Sequence, residues 1–186
     1  MDSHLVLRAQ RGDREAFSVL VTAIGERMRR VAYGILGDVH LAEDATQQAA
    51  LGIWRDLPQL RDPDRFEAWS YRVLVRACHS EAREARRWLT AIPTMGEAEL
   101  GDDFASVADR DQLERAFARL PVDQRAVVVL RHYADLPLDA IAIALDVPSG
   151  TVNSRLHRAM QALRALLEAD ARRPDVPTPA PQGVTR

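Results

Sequence analysis

The sequence holds a single cysteine, Cys78, no lysine, and aromatic residues at only 5 % of its 186 positions. One cysteine excludes an internal disulfide framework and any metal site that needs several cysteines. No apolar run approaches the roughly 18 residues that a membrane span requires. The first four residues also lack the pattern of a signal peptide. These absences predict a cytoplasmic protein without membrane insertion.

No arrangement of side chains points to catalysis. Cys78 and His79 are adjacent, so they cannot chelate an ion from one face of a helix. The other four histidines have no carboxylate or nucleophile at a telling spacing, and the chain has no glycine-rich phosphate loop. The sequence therefore predicts no enzyme, no metal site and no cofactor.

The charges nearly cancel overall but are unevenly distributed. The chain has 25 basic residues, all arginine, and 27 acidic ones, which gives a net charge of −2. Residues 91–112 carry one arginine and six acids, whereas the blocks before and after them are close to neutral. The net charge predicts no polyanionic partner, yet it conceals local basic faces. The forked guanidinium of arginine suits contacts to phosphate and guanine.

Apolar residues recur at helical spacing through the first half of the chain. They predict a helix over residues 13–36, ended by Gly37, and a second helix from about 39 to 57. A third helix is expected from an N-cap at Asp64 to about Trp88.

Residues 90–107 lose this periodicity and contain glycine, proline and an acidic cluster, which predicts a flexible linker. Helical periodicity resumes over residues 108–172. The last segment, 173–186, contains four prolines and is expected to be disordered. We find no strand signal and no internal repeat. The sequence thus predicts an all-α protein with one helical domain over residues 1–89 and a second over 108–172.

The most informative segment lies between residues 137 and 167. Its pattern predicts a short helix from about Leu138 to Leu145, a tight turn, and a longer helix capped by Ser149. Asp146, in the turn, is a residue type that tolerates a positive φ. A short helix, a brief turn and a longer helix form a helix-turn-helix, which places its second helix in the major groove of DNA.

The outer face of this second helix is polar and basic. Near its N-terminus it carries donors and acceptors suited to reading base edges: Thr151, Asn153, Ser154, Arg155, His157 and Arg158. A helical hairpin with a merely solvated polar face is the alternative. The selectively basic character of the face favours DNA binding.

The run from Leu120 to Leu167 contains LPVDQRAVVVLRHY and GTVNSRLHRAMQALR, and it resembles the promoter-reading C-terminal domain of bacterial extracytoplasmic-function (ECF) sigma factors. The first half resembles the N-terminal domain of the same family in three stretches: GDREAFSVL from Gly12, AEDATQQ from Ala42 and FEAWSYRV from Phe66. The resemblance covers about residues 5–88 and 108–168, in the family's order and with a linker between them.

The resemblance implies that the helix containing AEDATQQ docks on the β′ subunit of RNA polymerase. Five residues fall where those contacts would lie: Asp44, Gln47, Gln48, Trp54 and Arg55. The residues alone also fit a solvated polar face over a core tryptophan.

The resemblance further implies that loop 58–65 and helix 66–87 open the start-proximal promoter element and hold non-template bases. A basic track for a single strand is present in five arginines: Arg72, Arg76, Arg83, Arg86 and Arg87. Those in the last turn could instead complement the helix dipole. Trp69 is expected in the core, and Tyr71 either there or at the surface.

The sequence departs from the family's pattern at several positions. Arg76 and Ser80 stand where the family often has Asn and Asp, and Gln48 stands where an acid is common. Asn153 replaces a frequent Lys on the reading helix, and Pro137 replaces a frequent Ser cap. These departures bear on promoter sequence and on melting rather than on the fold.

The resemblance therefore implies an alternative sigma factor that brings core RNA polymerase, through its β′ and β subunits, to specific promoter DNA. It also implies a linker near the RNA exit path and restraint by an anti-sigma factor. A sigma-like decoy that binds an anti-sigma factor without engaging DNA is the alternative. A dimeric helix-turn-helix repressor would leave the first 88 residues unexplained.

Overall fold

A computed structural model of the chain describes residues 2–91 and 108–171, and all regular structure in these two ranges is helical. Most of the predicted linker and the whole proline-rich tail lie outside them. The α-helices in the described ranges are α1 Ser3–Gln10, α2 Arg14–Leu36, α3 Val39–Asp56, α4 Phe66–Ala91, α5 Ala108–Ala118, α6 Val122–His132, α7 Leu138–Leu145 and α8 Ser149–Ala171. Two 3₁₀ turns, Leu57–Gln59 and Pro63–Arg65, connect α3 to α4. The predicted all-α fold is confirmed.

Aspartate caps begin the first three helices. The carboxylates of Asp2, Asp13 and Asp38 accept hydrogen bonds from backbone N–H groups in the first turns of α1, α2 and α3, which satisfies donors that have no partner inside the helix. Gly37 ends α2 with a φ of 75°, a conformation that glycine adopts without a steric penalty. Helix α1 was not predicted, because its eight residues bury only Val6 and Ala9.

The start of α4 differs from the prediction. Asp64 does not cap this helix; it lies in the 3₁₀ turn that precedes it. Asp62 caps this 3₁₀ turn, and its carboxylate accepts a hydrogen bond from the backbone N–H of Asp64 at 3.1 Å. The helix then runs from Phe66 to Ala91, three residues past the predicted end at Trp88.

The N-terminal helices enclose an aliphatic core. Helix α3 packs between α2 and α4, and α1 packs against α2. The largest side chains that are fully buried here include Leu20, Ile35, Ile53, Phe66 and Leu74. Their burial on adjacent helices is the main favourable term that holds this part together.

The C-terminal helices form a second packed group, in which α6, α7 and α8 contact one another and α5 lies against α8. Leu130, Ile141 and Val152 are fully buried in this group. Helices α2 and α4 also pack against α6 and α7, so the buried core continues from the first group into the second.

Leu20→Ala should lower the free energy of unfolding by about 2–5 kcal/mol, because it removes a fully buried side chain and leaves a cavity. Urea denaturation of the full chain measures this loss. Leu51→Ala is the matched control: Leu51 is 71 % exposed, so its truncation should change stability by less than about 0.5 kcal/mol. Equal losses in the two variants would contradict the assigned core.

Candidate nucleic-acid interface

Helices α7 and α8 form the predicted helix-turn-helix. Asp146 ends α7 in the left-handed region with a φ of 55°, which aspartate tolerates better than most residues, and the N–H of Val147 donates to the carbonyl of Ala142 at 3.1 Å. The predicted cap of α8 is wrong by one position, because Ser149 is the first residue of the helix. The N–H of Thr151 instead donates to the carbonyl of Pro148 at 2.9 Å.

Helix α8 buries one face and presents the other to solvent. Val152 and Ala159 are fully buried, which fixes the rotation of the helix about its axis. The predicted reading residues lie on the remaining surface: Asn153, Ser154, His157 and Arg158 are exposed, and Thr151 and Arg155 are half-buried. All six are thus brought to one accessible face, with no acidic side chain among them.

Two of these side chains also bond to their own helix. The Ser154 hydroxyl donates to the carbonyl of Thr151 at 3.0 Å, and Arg158 Nε donates to the carbonyl of Ser154 at 3.2 Å. These bonds orient the Arg158 side chain along the helix, and the remaining guanidinium N–H groups stay available to a ligand.

The arginines of α4 lie on its outer face, where Arg76, Arg83, Arg86 and Arg87 are exposed and Arg72 is half-buried. Arg72 and Arg76 both contact the same carboxylate, that of Asp146 in the helix-turn-helix. Their Nη2 atoms lie 3.2 Å and 3.0 Å from Asp146 Oδ2. One acidic side chain of the helix-turn-helix therefore pairs with two arginines of the other predicted DNA-binding region.

The aromatic residues of α4 differ in their exposure. Tyr71 is 2 % exposed, and burial raises the pKa of its hydroxyl to about 12, so it belongs to the core. Trp69 packs on the core beside Phe66, with ring centroids 6.2 Å apart. One side of Trp69 lines an open cleft of about 360 Å³ whose wall includes three arginines and two carboxylates: Arg61, Arg65, Arg72, Asp62 and Asp146. An aromatic edge among arginines is a surface that can hold a nucleobase and its phosphate.

The outer face of α3 carries the predicted polymerase contacts. Asp44, Gln47, Gln48, Trp54 and Arg55 are all exposed. The Trp54 ring meets Phe17 edge to face, with centroids 4.6 Å apart, and Arg55 Nε lies 2.7 Å from Asp56 Oδ1. Sequence reasoning missed Leu51, which stands in this face at 71 % exposure. The sequence could have indicated Leu51, because it is an apolar residue outside the apolar period of its helix.

Behind this face lies Glu81 of α4, a buried acid that accepts a hydrogen bond from Gln48 Nε2. Burial raises the pKa of its carboxyl, with added repulsion from Asp44 and Glu84, while the bond from Gln48 acts in the opposite direction. The amide of Gln48 is thus tied to the helix that carries the arginines.

Neither Cys78 nor His79 forms a metal site with its neighbours. Cys78 is fully buried, and burial raises the pKa of its thiol to about 12, which leaves it unreactive. His79 Nε2 lies 3.2 Å from Asp123 Oδ1 of α6. Within residues 2–91 and 108–171, no group of three metal-ligating side chains is close enough to hold an ion. None of the described helices is long and apolar enough to cross a membrane.

Comparison with known families assigns both halves of the chain. Residues 20–88 match sigma-70 region 2, and residues 110–163 match sigma-70 region 4. RNA polymerase sigma-H factor of Pseudomonas aeruginosa is 31 % identical over 90 % of this chain and 94 % of its own length. ECF RNA polymerase sigma factor SigM of Mycobacterium tuberculosis is 33 % identical over 89 % of this chain and 84 % of its own.

Two solved structures share the fold. CnrH in complex with the cytosolic domain of CnrY has a TM-score of 0.67 and 25 % identity, covering 91 % of this chain and 98 % of CnrH. The sigma factor RpoE in complex with the anti-sigma factor NepR, from Bartonella quintana, has a TM-score of 0.64 and 22 % identity. That match covers 83 % of this chain and 98 % of RpoE.

Glu81→Gln should raise the melting temperature at neutral pH. An acid whose pKa is raised on folding binds its proton more tightly in the folded protein, so its contribution to stability falls as pH rises through the ordinary carboxyl range. The variant's advantage should therefore shrink below about pH 4, where the carboxyl is protonated in both states. Thermal melts of both proteins from pH 3.5 to 8 measure this difference in melting temperature. Glu43→Gln, at an exposed position of α3, is the control, and an equal pH dependence in both variants would contradict the assignment.

Proposed function

Because this chain belongs to the ECF family of RNA polymerase sigma factors, we propose that its two helical groups hold core polymerase and a promoter at the same time. In this division of work, α1–α4 bind polymerase and the melted start-proximal element, and α5–α8 bind the upstream element as duplex. The chain supplies recognition and no catalysis; nucleotide addition belongs to the polymerase.

The observation that carries the proposal is the accessible face of α8. Six polar or basic side chains at the start of one helix, held outward by a helix-turn-helix, match what a major groove requires of a recognition helix. The buried Val152 and Ala159 fix which face points outward. We assign the duplex contacts to Thr151, Asn153, Ser154, Arg155, His157 and Arg158.

The start-proximal element would lie along α4. Arg72, Arg76, Arg83, Arg86 and Arg87 form the basic track for the displaced strand. The accessible side of Trp69, which shares a wall with Arg61, Arg65 and Arg72, would stack against an unstacked base. Arg76 takes the place of a residue that the family often has as Asn, so contacts to phosphate would outweigh base-edge contacts at that point.

The outer face of α3 would dock on the β′ subunit, and the C-terminal group would lie against β. We include Leu51 with Asp44, Gln47, Gln48, Trp54 and Arg55. An exposed apolar side chain among amides and a tryptophan is typical of the centre of a protein interface. We place the factor in the cytoplasm, where the polymerase is, with residues 90–107 passing near the RNA exit path.

We also propose restraint by an anti-sigma protein. CnrH was solved with the cytosolic domain of CnrY, and its fold matches that of this chain at a TM-score of 0.67. An open cleft of about 720 Å³ between α4 and the helix-turn-helix, lined by apolar residues together with Asp64, Arg65, Asp139 and Asp146, offers such a partner a docking groove.

Run-off transcription with core polymerase tests the proposal. Sequencing the transcripts that the holoenzyme makes on genomic DNA identifies its promoters, and one of them then serves as template. Promoter-dependent product supports the proposal. A chain that binds core polymerase or an anti-sigma protein but yields no such product would be a decoy.

Arg158→Ala should weaken holoenzyme binding to that promoter several-fold and reduce the slope of log affinity against log salt by about one, because one cation is removed from the duplex contact. Filter binding at several salt concentrations measures both quantities. Arg11→Ala removes an equal charge from an exposed site after α1 and should change neither. Equal effects of both variants would show general electrostatics rather than a reading helix.

Leu51→Ser should weaken capture of core polymerase by about tenfold at an unchanged melting temperature, because an exposed apolar contact at an interface is lost while the core is untouched. Surface plasmon resonance with immobilised core enzyme measures it. Val39→Ser, at a 52 % exposed residue at the start of the same helix, is the matched control. Unaltered affinity in Leu51→Ser would place the docking surface elsewhere.

A further inference from the structure

The contact between α4 and the helix-turn-helix has a consequence for regulation. Asp146 offers one carboxylate to two arginines that are 74 and 70 residues distant along the chain. Its own turn is closed by backbone hydrogen bonds, which do not use the carboxylate. Guanidinium groups bind carboxylates and phosphates with the same forked geometry. The Asp146 carboxylate thus offers these two guanidinium groups the kind of anionic acceptor that a phosphate would offer.

We propose that the chain alone adopts a closed, self-inhibited state in which Asp146 stands in for a phosphate of the promoter on Arg72 and Arg76. This inference rests on the proposed role of α4 in holding the melted strand. Opening the contact between the two helical groups would release the arginines and withdraw Ile143 and Asp146 of the C-terminal group from the wall beside Trp69.

A close apolar contact also holds the two helical groups together in the closed state. Val129 of α6 lies so close to Gly34 of α2 that a Cβ atom added there would meet Val129 Cγ2 at 3.0 Å. Only a residue without a side chain permits this approach. On the same border, Arg125 Nη1 donates to the carbonyl of Leu36, the last residue of α2, at 3.3 Å.

The polar contacts between the two helical groups contribute little to holding them together. The Nε atoms of Arg72 and Arg125 are buried without a hydrogen-bond partner among the described residues, which is a cost of closure. The side chains of Asp146 and Arg76 are 57 % and 62 % exposed, so their attraction is weak and screened by salt. Closure engages Arg72 and Arg76 of the basic track, whereas the reading face of α8 stays accessible to duplex DNA.

A reversible cross-link tests the closed state in the full chain. A Cβ placed at Gly34 lies 3.8 Å from Val129 Cβ, the mean separation in disulfides. The double variant Gly34→Cys with Val129→Cys should therefore cross-link on oxidation, and the buried Cys78 should take no part. The pair Gly25→Cys with Val129→Cys is the control, because a Cβ at Gly25 has nothing within 4 Å.

The oxidised protein should lose run-off transcription, and binding of the single-stranded non-template segment, by at least about tenfold, because the open population is removed. Reductant should restore both. Failure to cross-link, or full activity of the cross-linked chain, would overturn the closed state alone. Absence of transcripts from the unsubstituted chain would overturn the proposed function instead.

Asp146→Asn tests the carboxylate, since asparagine keeps the left-handed backbone and loses the charge. The full chain should bind the single-stranded segment about three- to fivefold more tightly, the gain expected from releasing two exposed ion pairs. Asp139→Asn removes the same charge from the first turn of α7 and is the matched control. Equal gains in both variants would show a general charge effect and overturn the role of Asp146.

Discussion

The basic track, and its contact with the helix-turn-helix, depend on the burial of one face of α4. Phe66, Leu74 and Cys78 of this helix are fully buried, and the helix packs against α2 and α3 on one side and α7 on another. A helix with one face fixed in a core can present only its remaining faces. The 3.6-residue period then places Arg72, Arg76 and Arg83 on one outer stripe, as steps of four and seven residues require. The same burial that stabilises the fold therefore aligns the basic track.

Much of the architecture could be predicted because it is encoded locally. The apolar period of α2 and α3 is long, and Gly37 and the aspartate caps mark their ends. The tight turn after α7 was predictable from the local pattern, and Asp146 is one of the residue types that tolerate the φ of 55° found there. Helix α1 escaped prediction because an eight-residue helix is marginal alone and depends on packing against α2. The misplaced caps at Asp64 and Ser149 reflect how weakly sequence fixes the first residue of a helix.

In the candidate site, too, the features encoded locally were predicted and the long-range contacts were not. The reading face of α8 follows from one helix and its period, so all six residues were predicted and the structure exposes or half-exposes them. Leu51 was passed over because it lies outside the apolar period that defined α3. The pairing of Asp146 with Arg72 and Arg76 joins residues about 70 positions apart, and no local pattern specifies it. The chemistry of each helix face could thus be predicted from the sequence, whereas the contact between the two helical groups could not.

The charge distribution links DNA recognition by the arginines to their restraint by Asp146. With a net charge of −2 the chain does not attract DNA as a whole, and its basic residues act only where the fold gathers them. An acid positioned on such a group can satisfy it internally until a stronger polyanion competes. Recognition and restraint would then use the same arginines, so that promoter contact and opening are coupled in one equilibrium.

The central claim is that both helical groups engage one promoter in one complex. Footprinting of the open complex on an identified promoter tests it most directly, by combining hydroxyl-radical protection of the duplex with permanganate reactivity of unpaired thymines. The account predicts an upstream protected block and, in the same complex, a separate melted segment next to the start site. A complex with protection at only one of these places would contradict it.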